Sequence, residues 1–191
     1  MQTRTLTLTQ VLFPSRSFLR EAAVVGGAVA ATAAAAQVAV PLPFTPVPLT
    51  GQTLAVVLCG AALGSRRGVL AQLLYVLLGV IGLPIFAQGR HGLSPATGGS
   101  LLGVVLAAYA VGRLVELGWD RRGRTALAAM LVGNALIYAC GLPWLALCVG
   151  GPVSRVVAMG LLPFVPGDVL KTALAAALLP GAWRLVGRRG G

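Results

Sequence analysis

Long apolar runs, separated by short breaks rich in charge, glycine or proline, organise this chain. Runs over residues 20–40, 52–64, 68–83, 98–117, 125–142 and 167–184 show no broad polar face of the kind a soluble amphipathic helix carries. Most are near the length of about 20 residues that a membrane-crossing helix needs, the run 52–64 being the shortest. The pattern therefore predicts an all-α integral membrane protein, with six transmembrane helices in one domain covering 1–191. The breaks are of different kinds. Between Pro41 and Pro48 stand four prolines in eight residues, which forbid regular helix. Residues 84–95 form a Gly- and Pro-rich loop, 119–124 a charged turn, and 141–166 an external segment with a short helix near 152–161. Non-helical backbone at membrane depth must be buried in protein or line a cavity, so the Pro-rich loop lies outside the bilayer or folds over a pocket.

Composition supports a lipid environment. Hydrophobic residues make up 57% and charged residues 10%, against about 25% charged in soluble domains. With spans of about 20 residues, no room remains for a separate ATPase domain. The polar start of the chain lacks the short apolar run of a signal peptide, so the 20–40 run reads as a retained first helix. A net charge of +11 in a soluble protein would suggest nucleic acid, but the basic residues sit in short gaps between apolar runs and form no continuous groove. Six spans put both termini on one side. Arg4, Arg16, Arg20, Arg66, Arg67, Arg121, Arg122, Arg124, Arg184, Arg188 and Arg189 fall there, with Arg113 one turn inside; Arg90 and Arg155 lie opposite. That bias makes the terminal side cytoplasmic and the protein a multi-pass component of the cell membrane.

Few polar side chains remain inside the spans. Asp168 and Lys171 stand three apart and share a helix face. Each alone would cost about 2.5–3.5 kcal/mol at the centre of a span. They are either a structural ion pair near a helix start or a pair lining a cavity; Lys171 is the single lysine in a chain otherwise wholly arginine. Asn134 and Tyr138 share a face of the fifth run, and Thr50, Gln52, Gln88 and Thr97 gather at helix ends on the external side. Mostly apolar pockets with a few convergent polar groups are the usual form of a ligand site. Thr97-Gly98-Gly99 opens a helix, where backbone N–H groups suit an anion or the glycines serve close packing. Gly27, Ala31 and Ala35 form a small-residue stripe that lets a neighbouring helix approach, within this chain or from a partner. Cys59, Cys140 and Cys148 read as small core hydrophobes, and His91 as a solvated loop residue without a metal-ligating companion. No phosphate-binding loop or nucleophile motif occurs.

Several blocks resemble the BioY family, the substrate-binding (S) components of energy-coupling-factor transporters for biotin. They are Pro43-Phe-Thr-Pro-Val-Pro-Leu-Thr-Gly-Gln-Thr-Leu54, Tyr75 with Gly79 and Gly82-Leu-Pro84, Thr97-Gly-Gly99 with Leu102-Gly103, and Leu162-Pro-Phe-Val-Pro-Gly-Asp-Val-Leu-Lys171. The resemblance runs from about Ala30 to Leu179. It implies an S-component fold with a biotin pocket near the external face, no cofactor, and a complex with a transmembrane coupling protein and two cytoplasmic ATPases. It also implies that the Gly27–Ala31–Ala35 stripe docks the coupling protein. Ser100 departs from the aromatic that often follows the TGG block. Asp168 suits the ureido N–H groups of biotin and Asn134 or Gln88 its carbonyl. Lys171, Arg90 or the TGG backbone suits the carboxylate, and Tyr138, Phe44 and Trp144 are candidates for the apolar wall. The alternatives are an S component for another vitamin, an intramembrane enzyme using Asp168 and Lys171, and a stand-alone channel.

Overall fold

The structure is a computed structural model that describes residues 5–12 and 17–187; Arg4, Arg16, Arg188 and Arg189 lie outside the described residues. A short helix α1 (Leu8–Leu12) precedes α2 (Phe18–Gln37). Only one stripe of α2 is covered, Val25, Ala28, Thr32 and Ala36, which recur at helical spacing against α3 and α4. The helix stops at Gln37, where the Pro-rich segment begins. Two-residue strands β1 (Ala39–Val40) and β2 (Leu49–Thr50) pair antiparallel and close that segment into a hairpin.

Helices α3 (Gln52–Leu63) and α4 (Ser65–Val80) meet at a corner made by Gly64, whose φ of 81° is a conformation that disfavours residues with a Cβ. The start of α4 is capped from a different helix. Glu116, in the last turn of α5 (Gly98–Glu116), accepts from the Ser65 backbone N–H at 2.9 Å and its hydroxyl at 2.7 Å. A carboxylate suits the positive end of a helix, and Arg113 holds it in place at 2.8 Å.

Helices α5 and α6 (Gly123–Val149) pack most extensively, and glycines permit the approach. A Cβ on Gly103 would lie 2.8 Å from the Ile137 Cα. The predicted span 125–142 is corrected here, because α6 continues through Pro143 to Val149. Proline removes one i→i−4 bond, a loss that apolar helices tolerate where neighbours re-satisfy the backbone. The external segment is accordingly shorter than predicted. It holds α7 (Val153–Gly160), and then α8 (Val165–Gly187) begins after a 49° bend. Asp168 falls in the first turn of α8.

Six helices thus occupy the six predicted runs. By length and composition, α2, α5 and α6 can cross a membrane, and the bent α7–α8 pair makes a fourth candidate. The 12 residues of α3 rise about 18 Å, well short of a hydrocarbon core of about 30 Å.

The ends of α5, α6 and α8 meet in a charged turn (Trp119–Arg121). Asp120 is 1% exposed and accepts a hydrogen bond from the Trp183 indole, while Arg121 stacks 3.4 Å above that ring. Burial pushes the Asp120 carboxyl pKa above its ordinary value, against the lowering effects of the Trp183 bond and the Arg121 charge.

Candidate functional site

A cavity of about 390 Å³ opens between the β1–β2 hairpin, the 84–97 loop and helices α3, α5, α6 and α8. That is within the range of small-molecule sites. Its apolar wall comes from Phe86, Leu101, Val104, Ile137, Leu142 and Phe164, and its polar groups converge from four helices and two loops.

Asp168 and Lys171 lie in this wall and touch, with Nζ 3.1 Å from Oδ1. Neither has the pair as its sole partner. Tyr138 on α6 donates to Asp168 Oδ2, and Lys171 donates to Thr53 Oγ1 on α3 at 3.1 Å. A lysine ammonium has three hydrogens, so two are engaged within the protein and one remains for a ligand. Asn134 uses its amide nitrogen to reach Thr172 Oγ1 at 2.9 Å, which leaves its carbonyl for the cavity that it lines. Across the cavity, Arg90 reaches its wall from the 84–97 loop, braced by a 2.8 Å bond to Gln88 Oε1. One carboxylate among two cations gives a positive, mostly apolar site suited to an anionic solute with an apolar body.

Of the residues singled out from sequence, Asp168, Lys171, Asn134, Tyr138, Gln52, Thr50, Arg90 and Thr97 all line the cavity. Phe44, Gln88, Gly98 and Gly99 are not in its wall. Phe44 is 55% exposed on the proline hairpin, whose turn points it outward. Gln88 supports Arg90 instead of meeting the cavity. Gly98 and Gly99 serve packing, since a Cβ on Gly98 would lie 2.8 Å from the Trp144 ring and one on Gly99 would overlap Trp144 and the Cys140 carbonyl. Thr97 and Gly98 also give their N–H groups to the Ser94 carbonyl, at 3.2 Å each. Trp144 lies outside the wall as well, spending its indole N–H on the Pro95 carbonyl at 2.6 Å.

Thr53, Ser100, Phe86, Phe164 and His91 line the cavity without having been singled out for it. Thr53 could have been found, because it is a polar residue set one position into an apolar helix, directly after the proline hairpin. His91 is an exposed loop residue, as read, but at the cavity wall. The small-residue stripe divides. Gly27 and Ala31 face outward, and a Cβ on Gly27 would meet nothing within 4 Å. Ala35 is half-buried where the Gly51 backbone approaches, so it belongs to packing inside the chain.

The helical arrangement superposes on a crystal structure of the S-component for biotin from an ECF-type ABC transporter, with a TM-score of 0.76 at 21% identity, over 89% of this chain and 95% of that one. The chain therefore has the S-component fold. Residues 3–188 match the BioY family, and this chain belongs to it. A biotin transporter BioY from Rhizobium etli is 40% identical over 147 residues, covering 72% of this chain and 78% of that protein. A probable biotin transporter BioY from Pyrococcus horikoshii is 35% identical over 162 residues, covering 83% and 93%.

Proposed function

We propose that this chain is the biotin-binding subunit of a biotin uptake transporter. It captures biotin from the external side and works with a transmembrane coupling protein and two cytoplasmic ATPases that supply the energy. It is a transport subunit and not an enzyme, and needs no cofactor of its own. The observation that carries this reading is the cavity itself, found in a member of the BioY family. Biotin pairs an apolar bicycle with a ureido group and a carboxylate. The apolar wall suits the bicycle, Asp168 and the Asn134 carbonyl suit the ureido N–H groups, and Lys171 or Arg90 suits the carboxylate.

In this reading α2, α3, α4, α5, α6 and α8 are six spans in the cell membrane, with both termini cytoplasmic. The arginines at Arg20, Arg66, Arg67, Arg121, Arg122, Arg124 and Arg184 flank the ends on that side, which supports the orientation. The outward Gly27 and Ala31 offer the close approach that a coupling helix needs.

Calorimetry on a folded, monodisperse preparation tests the reading. Stoichiometric biotin binding that thiamine and riboflavin do not displace is the expected result. A preparation that binds no biotin sinks it, and preference for another vitamin of the panel would move the chain to a different substrate.

A further inference from the structure

Gln37 ends α2 and is not in the cavity wall, yet its side chain makes three hydrogen bonds to the 84–97 loop. Its amide nitrogen lies 3.0 Å from the Phe86 carbonyl and 3.3 Å from those of Ile85 and, in its own helix, Ala33, so its two hydrogens are shared among three acceptors. Its amide oxygen accepts the Gly89 N–H at 3.0 Å. This sense of the amide is the one the neighbours require, because carbonyls surround one end and an N–H faces the other. A single side chain therefore grips both ends of the turn 85–89.

That turn needs holding. Gln88 has φ 61° and Gly89 φ 67°, two successive left-handed residues, and the first carries a side chain. Such a conformation persists only where its surroundings impose it. The turn also presents wall residues. Phe86 is buried against Gly79 and Tyr75, Ala87 and Gly89 line the cavity, and Arg90 follows immediately with its guanidinium on Gln88 Oε1. The Phe86 N–H closes the same turn on the Arg90 carbonyl at 3.0 Å.

We infer that Gln37 is a positioning residue for the ligand site, acting through the 85–89 turn to hold Arg90 in the cavity wall. The inference rests on the biotin-binding reading for its ligand. It also ties the C-terminal end of α2, the helix with the outward small-residue face, to the loop that covers the site.

The test uses the full chain in nanodiscs, with biotin as the probe and amide hydrogen exchange at Gly89 as a ligand-free readout. Gln37→Met keeps length and bulk but removes both the donor hydrogens and the acceptor oxygen. Gln37→Glu keeps an acceptor for Gly89 and loses the donors. The expected result for Gln37→Met is faster exchange at Gly89 in the biotin-free protein. Biotin affinity should be roughly tenfold weaker, mainly through faster dissociation. Gln37→Glu should weaken binding while leaving Gly89 better protected than Gln37→Met does. Combined with Arg90→Ala, the Gln37→Met effect should largely disappear, since both act through one wall element. Wild-type affinity in Gln37→Met, unchanged Gly89 exchange, or effects of Gln37→Met and Arg90→Ala that simply add would each overturn the inference. Failure of the wild-type protein to bind biotin would instead overturn the functional reading, and Gly89 exchange would still report on Gln37.

Discussion

Tyr138 donates its phenolic hydrogen to the carboxylate of Asp168, and this bond joins the two helices, α6 and α8, whose facing sides form much of the cavity wall. It has a consequence for the ion pair below it. With one Asp168 oxygen held by Tyr138, the other is aligned on Lys171, and Lys171 in turn reaches Thr53 on α3. Tyr138→Phe keeps the ring and removes the bond. The expected outcome is a folded protein whose biotin affinity falls by roughly three- to tenfold, since a hydrogen bond to a charged group contributes about 1.5–3 kcal/mol at most and its loss is partly offset by rearrangement. Isothermal titration of the variant against wild type checks it.

Asp168 and Lys171 should respond unequally to single and paired substitution. Their side chains are 12% and 16% exposed, so removing one partner leaves a mostly buried charge. Asp168→Asn and Lys171→Met should each lower thermal stability and weaken biotin binding at least tenfold. The double variant should recover stability, because neither charge is then left alone, but should not recover binding. Thermal unfolding with and without biotin separates the two effects. Recovery of binding in the double variant would show that the pair is structural.

Much of the fold was legible because apolar runs carry their own signal: where lipid is the solvent, a helix must be apolar around most of its surface. The ranges of five runs agree with helices α2, α3, α4, α5 and α8 to within a few residues. The fifth run ends too early at 142, and α6 carries on through Pro143 to Val149, about two further turns. The cavity wall was legible where expense marks a residue, as for Asp168 and Lys171. It was illegible where a contact exists only through the fold. Gln37 is one more polar residue at a helix end until the fold brings the 85–89 turn, about fifty positions away, onto its amide. Phe44 failed for the opposite reason: an aromatic in a proline loop looks like a cavity wall, but the hairpin faces it outward.

Gly99→Ala distinguishes packing from anion binding at the TGG turn. A Cβ there would overlap Trp144 and the Cys140 carbonyl, the latter being backbone that cannot swing away. The expected result is a loss of about 1–3 kcal/mol of stability from overpacking, with α5 and α6 forced apart. An anion nest would predict weaker binding at unchanged stability. Unfolding midpoints and titrations on the same preparation decide between them.

Asp120 predicts a pH dependence of stability. Its carboxyl pKa is raised by burial in the folded state, so the folded protein takes up the proton more readily than the unfolded chain. Between the ordinary carboxylate value and the raised one, the folded state binds more protons, and stability from this group falls as pH rises. Below the ordinary value both states are protonated and the penalty is absent. Asp120→Asn keeps an acceptor for the Trp183 indole and removes the charge. Its unfolding midpoint should therefore exceed wild type by an amount that grows with pH and vanishes in acid. A difference independent of pH would show that the buried carboxylate carries no such penalty.

On the proposed function, Gly27 should separate ligand capture from coupling. A Cβ at this position meets nothing within 4 Å among the described residues, and Gly27 and Ala31 are both exposed, Gly27 on the rim of a groove it shares with Leu58, Cys59 and Ala62 of α3. A larger side chain there should leave the isolated subunit intact, and replacing glycine within a helix adds some helix propensity. Against a partner helix, the same change would prevent the close backbone approach that small residues permit. Gly27→Leu should therefore bind biotin with wild-type affinity and unfold at or above the wild-type temperature. When it is produced together with the coupling protein and ATPases, ATP-dependent biotin uptake should be lost, and the partners should no longer co-purify with it. Ala35→Leu is the control from inside the fold. Ala35 lies against the Gly51 backbone, so that change should lower stability before it affects coupling. If Gly27→Leu supports normal uptake, the outward face of α2 is lipid-facing only, and the coupling protein must meet a different surface.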